Sequence, residues 1–236
     1  ELPGSRAVGI DAHSGSQSAD LQPYDDAYRL LAELAQTLRA EGHAIEHIDL
    51  GGGLGIPYRT DNSPPPLPDA YAAIVKKHVG KLGLKVIFEP GRLIVGNAGI
   101  LVSEVIYLKE GEAKNFLIVD AAMNDLIRPT LYDAFHDIRP VVQAGSDAPR
   151  MVGDVGGPVC ESGGFLAQGR DLPRLKSGDL IAVGTAGAYG AGQSGTYNTR
   201  LLVPEVLVNG DAFHVVRPRQ TYDELIGLDS LPEWLE

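Results

Sequence analysis

"HIDLGGGLGIPY", residues His47–Tyr58, is the stretch whose reading decides the fold. An apolar run ends in three consecutive glycines. Glycine weakens a strand and costs backbone entropy, so three together need a reason. Two readings are open: a plain connecting loop, or a segment whose backbone comes close to a ligand. Upstream, "AVGIDA" (Ala7–Ala12) reads as a short buried strand. "YDDAYRLLAELAQTLRAEG" then puts Tyr24, Ala27, Tyr28, Leu31, Leu34, Ala35 and Leu38 on one helical face, with Gly42 where a helix stop is expected. "IEHIDL" (Ile45–Leu50) is a second strand. The Pro-rich "DNSPPPLP" leads into a second helix, "PDAYAAIVKKHVGKLG", with Pro68 near its first turn, and "LKVIFE" (Leu84–Glu89) is a third strand. Strand–helix–strand–helix–strand implies a parallel sheet or barrel with right-handed crossovers.

After about residue 95 the pattern changes. "GILVSEVIYLKEG", "KNFLIVDAA", "RPVVQA", "PRMVGDVGG", "DLIAVG", "RLLVPEVLVNG" and "AFHVVRPR" are short, β-branched and bounded by turn residues. One break, "MNDLIRPTLYDAF", is helical or turn-like, and the acidic "DSLPEWLE" reads as a surface tail. The fold class expected is α/β plus all-β, with an α/β piece over 1–95 and a β domain over 96–236.

Composition narrows the partners. The 236 residues are 44% hydrophobic and 22% charged, in the range of a soluble globular protein. No run approaches the ~18 apolar residues of a membrane span, and "ELPGSRAVGIDAH" has no h-region of a signal peptide. A net charge of −11 without a basic run argues against nucleic acid and anionic membranes, though not against a small anion held by local donors. The single cysteine, Cys160, excludes an intrachain disulfide framework and a cysteine-built zinc site, and fits a reducing cytoplasm. No metal site is expected.

The unusual residues fall at the ends of the three strands: "HSGSQ" (His13–Gln17), "GGG" (Gly51–Gly53) and "EPGR" (Glu89–Arg92). Parallel strands end on one face, so His13, Ser16, the backbone of Gly51, Gly52 and Gly53, Glu89 and Arg92 would converge there. Free N–H groups with a hydroxyl and a guanidinium suit a phosphate. Taken singly, His13 could be structural and "EPGR" a capped turn. In the β domain, Arg128 and Tyr132 are four apart, either a surface arginine over a packed tyrosine or a pair of ligand contacts. Cys160 and Glu161 stand between glycines in "GGPVCESGG", as a buried inert thiol beside a surface acid or as a reactive pair. "GTAGAYGAGQSGTYN" is either a connection or a loop offering the Tyr189 hydroxyl.

In order, "HSGSQ", "HIDLGGGLGIPY", "EPGR", "DAAMNDLIRPTLYDAFH", "GPVCESGGFLA" and "GAYGAGQSGTYNTR" resemble the motifs of the diaminopimelate decarboxylases, pyridoxal-phosphate enzymes of the alanine racemase-like barrel group, from about Val8 to about Arg219. "RPTLYDAFH" with "PVCESG" favours diaminopimelate over the ornithine and arginine enzymes. The resemblance implies the last strands of a pyridoxal-phosphate-binding (β/α)8 barrel followed by a β-barrel or sandwich domain, and a cytoplasmic head-to-tail homodimer with shared active sites. It implies conversion of meso-2,6-diaminopimelate to L-lysine and CO2. It sets His13 against the face of the cofactor ring. Ser16, Gly51, Gly52, Gly53 and the "EPGR" backbone, Gly91 included, hold the phosphate, and Tyr189 reaches it too. Glu89 pairs with the ring nitrogen. Arg92, Arg128 and Tyr132 bind the substrate's carboxylates. Cys160 is the proton donor and Glu161 meets the distal amino group, both reaching the neighbouring subunit's site; Tyr189 also borders the substrate.

Three departures stand out. Gly164 occupies the place of a usual aspartate, and Ser14 that of a usual isoleucine. Only about three βα units are present, and Lys76, Lys77, Lys81, Lys85, Lys109, Lys114 and Lys176 all lie outside the motifs. The cofactor-anchoring Schiff-base lysine is therefore expected in a preceding barrel half, which makes this chain alone inactive. The alternatives are a related decarboxylase for another amino acid, or a non-catalytic binding module.

Overall fold

A computed structural model describes residues 3–59 and 64–235. Residues 61–63 of the Pro-rich stretch lie outside the described residues. The chain divides into two compact units, Glu1–Gly99 and Ile100–Glu236.

The first unit is α/β. Strand β1 (Gly9–Asp11), helix α1 (Gln22–Ala40), β2 (His47–Asp49), helix α2 (Pro68–His78) and β3 (Lys85–Ile87) follow in order, closed by a single turn, α3 (Arg92–Val95). The sheet runs β1-β2-β3, all parallel, with Ile10 beside Ile48 and Ile48 beside Val86. Because the strands are parallel and in register, His13, Gly51 and Glu89 emerge at the same end. Proline opens both long helices, where its missing N–H costs nothing, with Asp25 and Asp69 in the first turns and Arg39, Lys76 and Lys77 in the last. The buried face of α1 is Tyr24, Tyr28, Leu31, Ala32 and Ala35. It is narrower than the periodicity predicts: Leu34 is exposed. The core joins Tyr24, Tyr28 and Leu31 to Ile48, Leu50, Leu54, Val75 and Val79.

The second unit is mostly strand: β4 (Leu101–Lys109), β5 (Asn115–Val119), the one-turn helix α4 (Arg128–Tyr132), β6 (Ile138–Pro140), β7 (Arg150–Gly156), β8 (Phe165–Pro173), β9 (Leu180–Val183), β10 (Glu205–Asn209), β11 (Ala212–Arg217) and α5 (Tyr222–Ile226). Six strands form one mixed sheet in the order β6-β9-β4-β5-β7-β8, and β10 and β11 form a separate antiparallel ribbon. β5 and β7 are parallel; the other pairs in the six-stranded sheet are antiparallel. Strand β4 serves two partners: Leu101–Glu104 pair with β9 and Val105–Lys109 with β5, with a register shift between Val105 and Tyr107. Val105, Leu117, Val119, Leu126, Val155, Leu166, Ile181 and Val183 are buried together. Two details differ from the sequence reading. "RPVVQA" carries strand only to Pro140, and Val141 and Val142 are exposed; proline has no N–H for the ladder. β8 is not legible as a strand, because Gln168, Gly169, Arg170 and Asp171 interrupt its apolar run and Gly169 has φ +59. No helix among the described residues is long and apolar enough to cross a membrane.

Candidate active site

In the first unit the three strand ends meet around the glycine loop. The Gly51 carbonyl accepts from Glu89 N–H at 2.8 Å, the Gly52 carbonyl from the Tyr24 hydroxyl at 3.3 Å, and the Gly53 carbonyl from Ser18 N–H at 2.9 Å. Gly51 N–H donates to Asp49 Oδ1 at 3.0 Å. Among the described hydrogen bonds, none uses the N–H of Gly52, Gly53 or Leu54. Carbonyls tied back and amides open is the polarity an anion requires. Glycine is obligatory in two ways. Gly53 sits at φ +91, and a Cβ on Gly52 would stand 2.1 Å from the Glu89 carbonyl oxygen.

The loop lines a cleft of about 220 Å³ with Tyr71, Phe88, Gly91 and Arg92. Arg92, on α3, is buried; its Nη2 donates to Ser16 Oγ at 2.9 Å and its Nη1 to the Tyr58 hydroxyl. His13 and Glu89 are half-exposed, with Nδ1 3.2 Å from Oε2. The carboxylates of Asp11 and Asp49 stand with that of Glu89, one oxygen of each within 4.8 Å of the others. Three acids in that space favour a cationic neighbour. Beneath the loop, Tyr28 donates to the Leu50 carbonyl at 3.0 Å and meets the Tyr71 hydroxyl at 2.6 Å. Burial pushes both phenols above the usual tyrosine range, Tyr28 the further of the two. Open amides, the Ser16 hydroxyl and the Arg92 guanidinium beside a carboxylate and an imidazole form a donor set that fits a phosphorylated pyridine cofactor.

The second unit presents its groups differently. Arg128 is buried and its Nη1 lies 2.8 Å from His136 Nε2. His136 Nδ1 is 3.0 Å from the Gly184 carbonyl, which can only accept; this assigns the ring proton to Nδ1 and leaves Nε2 to accept from the arginine. Tyr132 is exposed. The pair is thus the reverse of a surface arginine over a packed tyrosine: α4 lasts one turn, with Arg128 turned to the core and Tyr132 outward. The Thr130 hydroxyl donates to the Gly163 carbonyl and so fastens α4 to the Cys160–Glu161 loop. Cys160 is exposed, which rules out a buried thiol. Glu161 accepts from Gly163 N–H at 2.9 Å. A Cβ on Gly164, where the aspartate would stand, meets the Glu161 carbonyl oxygen at 2.9 Å, so the loop here is closed around a glycine. Glu161 also borders a cleft of about 350 Å³ with Asn124, Ile127, Gln193 and Tyr197. Asn124 Nδ2 holds the carbonyls of Gly195 and Tyr197, at 3.2 and 2.7 Å. Tyr189 is exposed, with φ +69.

Sequence reading did not single out Asp49, Tyr58 or His136, and it read Tyr24 only as part of a helical face. Tyr58 and His136 lie inside quoted motifs, but only their partners Arg92 and Arg128 were conspicuous. Asp49 stands two residues before the glycine whose N–H it accepts, an Asx-type spacing that is visible in sequence.

A parallel sheet with open amides at its strand ends is joined in sequence to a mixed-sheet unit, which sets the class of protein as α/β plus β. Residues 18–187 match the family model described as pyridoxal-dependent decarboxylase, C-terminal sheet domain. The chain belongs to the pyridoxal-dependent decarboxylase family. It is 44% identical over 233 residues to the diaminopimelate decarboxylase of Zymomonas mobilis, covering 99% of this chain and 55% of that protein. A crystal structure of AQ1208 from Aquifex aeolicus matches with a TM-score of 0.91 at 42% identity, over 94% of this chain and 55% of that one. Diaminopimelate decarboxylase from Helicobacter pylori complexed with L-lysine matches with a TM-score of 0.87 at 37% identity, over 94% and 54%. The chain spans about half the length of the curated relatives it matches.

Proposed function

We propose that this chain is the cofactor-phosphate and substrate-recognition part of a diaminopimelate decarboxylase, converting meso-2,6-diaminopimelate to L-lysine and CO2. The observation that carries the reading is the loop of open amides at Gly52–Leu54 beside Ser16, Arg92 and Glu89. Pyridoxal phosphate, when bound, supplies the electron sink that takes the pair left behind as CO2 departs. Gly52, Gly53, Ser16 and Arg92 hold its phosphate, with Gly51 and Gly91 shaping the backbone and Tyr189 adding a hydroxyl. His13 lies on the ring face and Glu89 holds the ring nitrogen. Arg128 and Tyr132, with Arg92, bind the substrate's carboxylates, and Glu161 meets its distal amine. Cys160 Sγ returns a proton to the substrate's α-carbon.

In this reading the first unit is the end of a (β/α)8 barrel, and the enzyme is a cytoplasmic homodimer with no nucleic-acid or membrane partner. The test is CO2 release by the full-length protein from meso-diaminopimelate, ornithine and arginine. Preference for ornithine or arginine overturns the substrate assignment. A second reading, that these 236 residues alone are a non-catalytic module, is supported by the lack of a lysine among the described residues that line the cleft. Borohydride reduction with pyridoxal phosphate should then label no single lysine stoichiometrically. Mixing with a separately expressed barrel half should restore turnover.

A further inference from the structure

A carbonyl and the N–H that follows it share one rigid peptide plane and point in opposite directions. Fixing a carbonyl therefore aims the next amide. The open N–H of Gly52 is aimed by the Gly51 carbonyl, held by Glu89 N–H, and that of Leu54 by the Gly53 carbonyl, held by Ser18 N–H. Both holds are backbone to backbone. The middle amide, Gly53 N–H, is aimed by the Gly52 carbonyl, whose partner is a side chain: the Tyr24 hydroxyl, 3.3 Å away. The Gly51–Gly52 and Gly52–Gly53 peptides are the softest in the loop, since neither flanking residue has a Cβ to resist rotation; the first is held by backbone and the second by the Tyr24 side chain. Tyr24 is 1% exposed and its ring stands edge-on to Tyr71, centroids 5.3 Å apart at 89°, so its hydroxyl is itself fixed.

We propose that Tyr24 is a positioning residue which, by holding the Gly52 carbonyl, keeps Gly53 N–H turned toward a bound phosphate. The proposal rests on the phosphate reading above and names one further residue behind it. Tyr28, from the same cluster, is the internal comparison. It holds the Leu50 carbonyl, which aims Gly51 N–H, and that amide is already taken by Asp49. Tyr28 belongs to the scaffold and not to the anion-facing amides.

The experiment uses the full-length protein and two ligands that differ only in the phosphate and carry no aldehyde, pyridoxine 5′-phosphate and pyridoxine. Their dissociation constants are measured by calorimetry. The parent should prefer the phosphorylated ligand. In Tyr24→Phe that preference should fall by about 5–10-fold, the worth of one hydrogen bond, with pyridoxine affinity unchanged. In Tyr28→Phe the melting temperature should drop while the preference stays within about twofold. No preference in the parent overturns the phosphate reading itself. A parent preference kept in full by Tyr24→Phe, or lost equally in Tyr28→Phe, overturns the role of Tyr24 and leaves the phosphate reading standing. Should Tyr24→Phe not fold, 3-fluorotyrosine at position 24 keeps the shape and changes the donor strength; an unchanged preference then overturns the proposal.

Discussion

The glycine loop of the first unit and the Cys160 loop of the second are built on opposite plans. The first is made of backbone, with every carbonyl from Leu50 to Gly53 held within the unit and glycines pressed against neighbouring main chain. The second is made of side chains, with Arg128 and His136 locked inside while Cys160, Glu161, Tyr132 and Tyr189 are displayed at the surface. A site of main-chain amides tolerates no added atom but little depends on exposure. A site of displayed side chains tolerates substitution structurally and depends on what meets it.

The sharpest way to break this contrast is Gly52→Ala. Its Cβ would lie 2.1 Å from a carbonyl oxygen that cannot give way, so denaturant unfolding should show a loss of about 2–4 kcal/mol, whereas Gly145→Ala, which meets nothing within 4 Å, should cost under about 0.5 kcal/mol. Equal costs would mean the loop is not close-packed.

Arg128→Lys tests the buried half of the second site. A fork aimed at His136 becomes a point charge, and the expected loss is about 1.5–3 kcal/mol in urea unfolding, with slower diaminopimelate turnover by the full-length enzyme. A variant equal to the parent in both measurements removes Arg128 from the site.

Asp25 gives a smaller effect in the scaffold of the first unit. Lys77, chiefly, and then His78 hold its carboxyl below the ordinary aspartate range. A depressed acid adds stability that is complete above its unfolded value, near ~4, and is lost as pH falls through the lower folded value. Asp25→Asn should therefore melt on the order of 1–2 °C lower at pH 7, since exposed pairs are weak. The gap should close once acid has protonated Asp25 in both states. A gap that widens in acid contradicts this sign.

The smallest expected change in stability is that of Cys160→Ala, under about 0.5 kcal/mol at an exposed position. Its activity readout is a mixed dimer of full-length subunits, one with Cys160→Ala and the other without its anchoring lysine. Each homodimer should be nearly inactive and the mixture should regain up to about half the parent's turnover, because one site then has both groups. A dead mixture in which heterodimers are shown to form overturns the shared-site assignment.

The convergence of His13, Gly51 and Glu89 was legible because parallel strands with crossover helices must end together; the rule needs no side-chain detail. Which amides stay open was not legible, since that depends on Tyr24 and Asp49 reaching particular atoms. The spacing of Arg128 and Tyr132 gave a shared helix but not their opposite burial, which the buried His136 and the single-turn length of α4 decide. β8 was hidden by its own polar outer positions, and α5 was not read from the sequence, although Thr221 and Glu224 form a capping box at its start.

Strand β4 has a consequence for the order of assembly. Its second half pairs across a short turn, Lys109 with Phe116, while its first half waits for β9, Leu101 with Val183. Closing the longer loop, about 80 residues, costs roughly 2 kcal/mol more chain entropy than closing the hairpin. The β4–β5 hairpin is therefore expected to form first and the β9 pairing late. During refolding the Val105 amide, which donates to the Asp179 carbonyl just ahead of β9, should gain protection from solvent exchange after that of Glu104, which donates to Asp120 Oδ1 just after β5, although the two are neighbours on one strand.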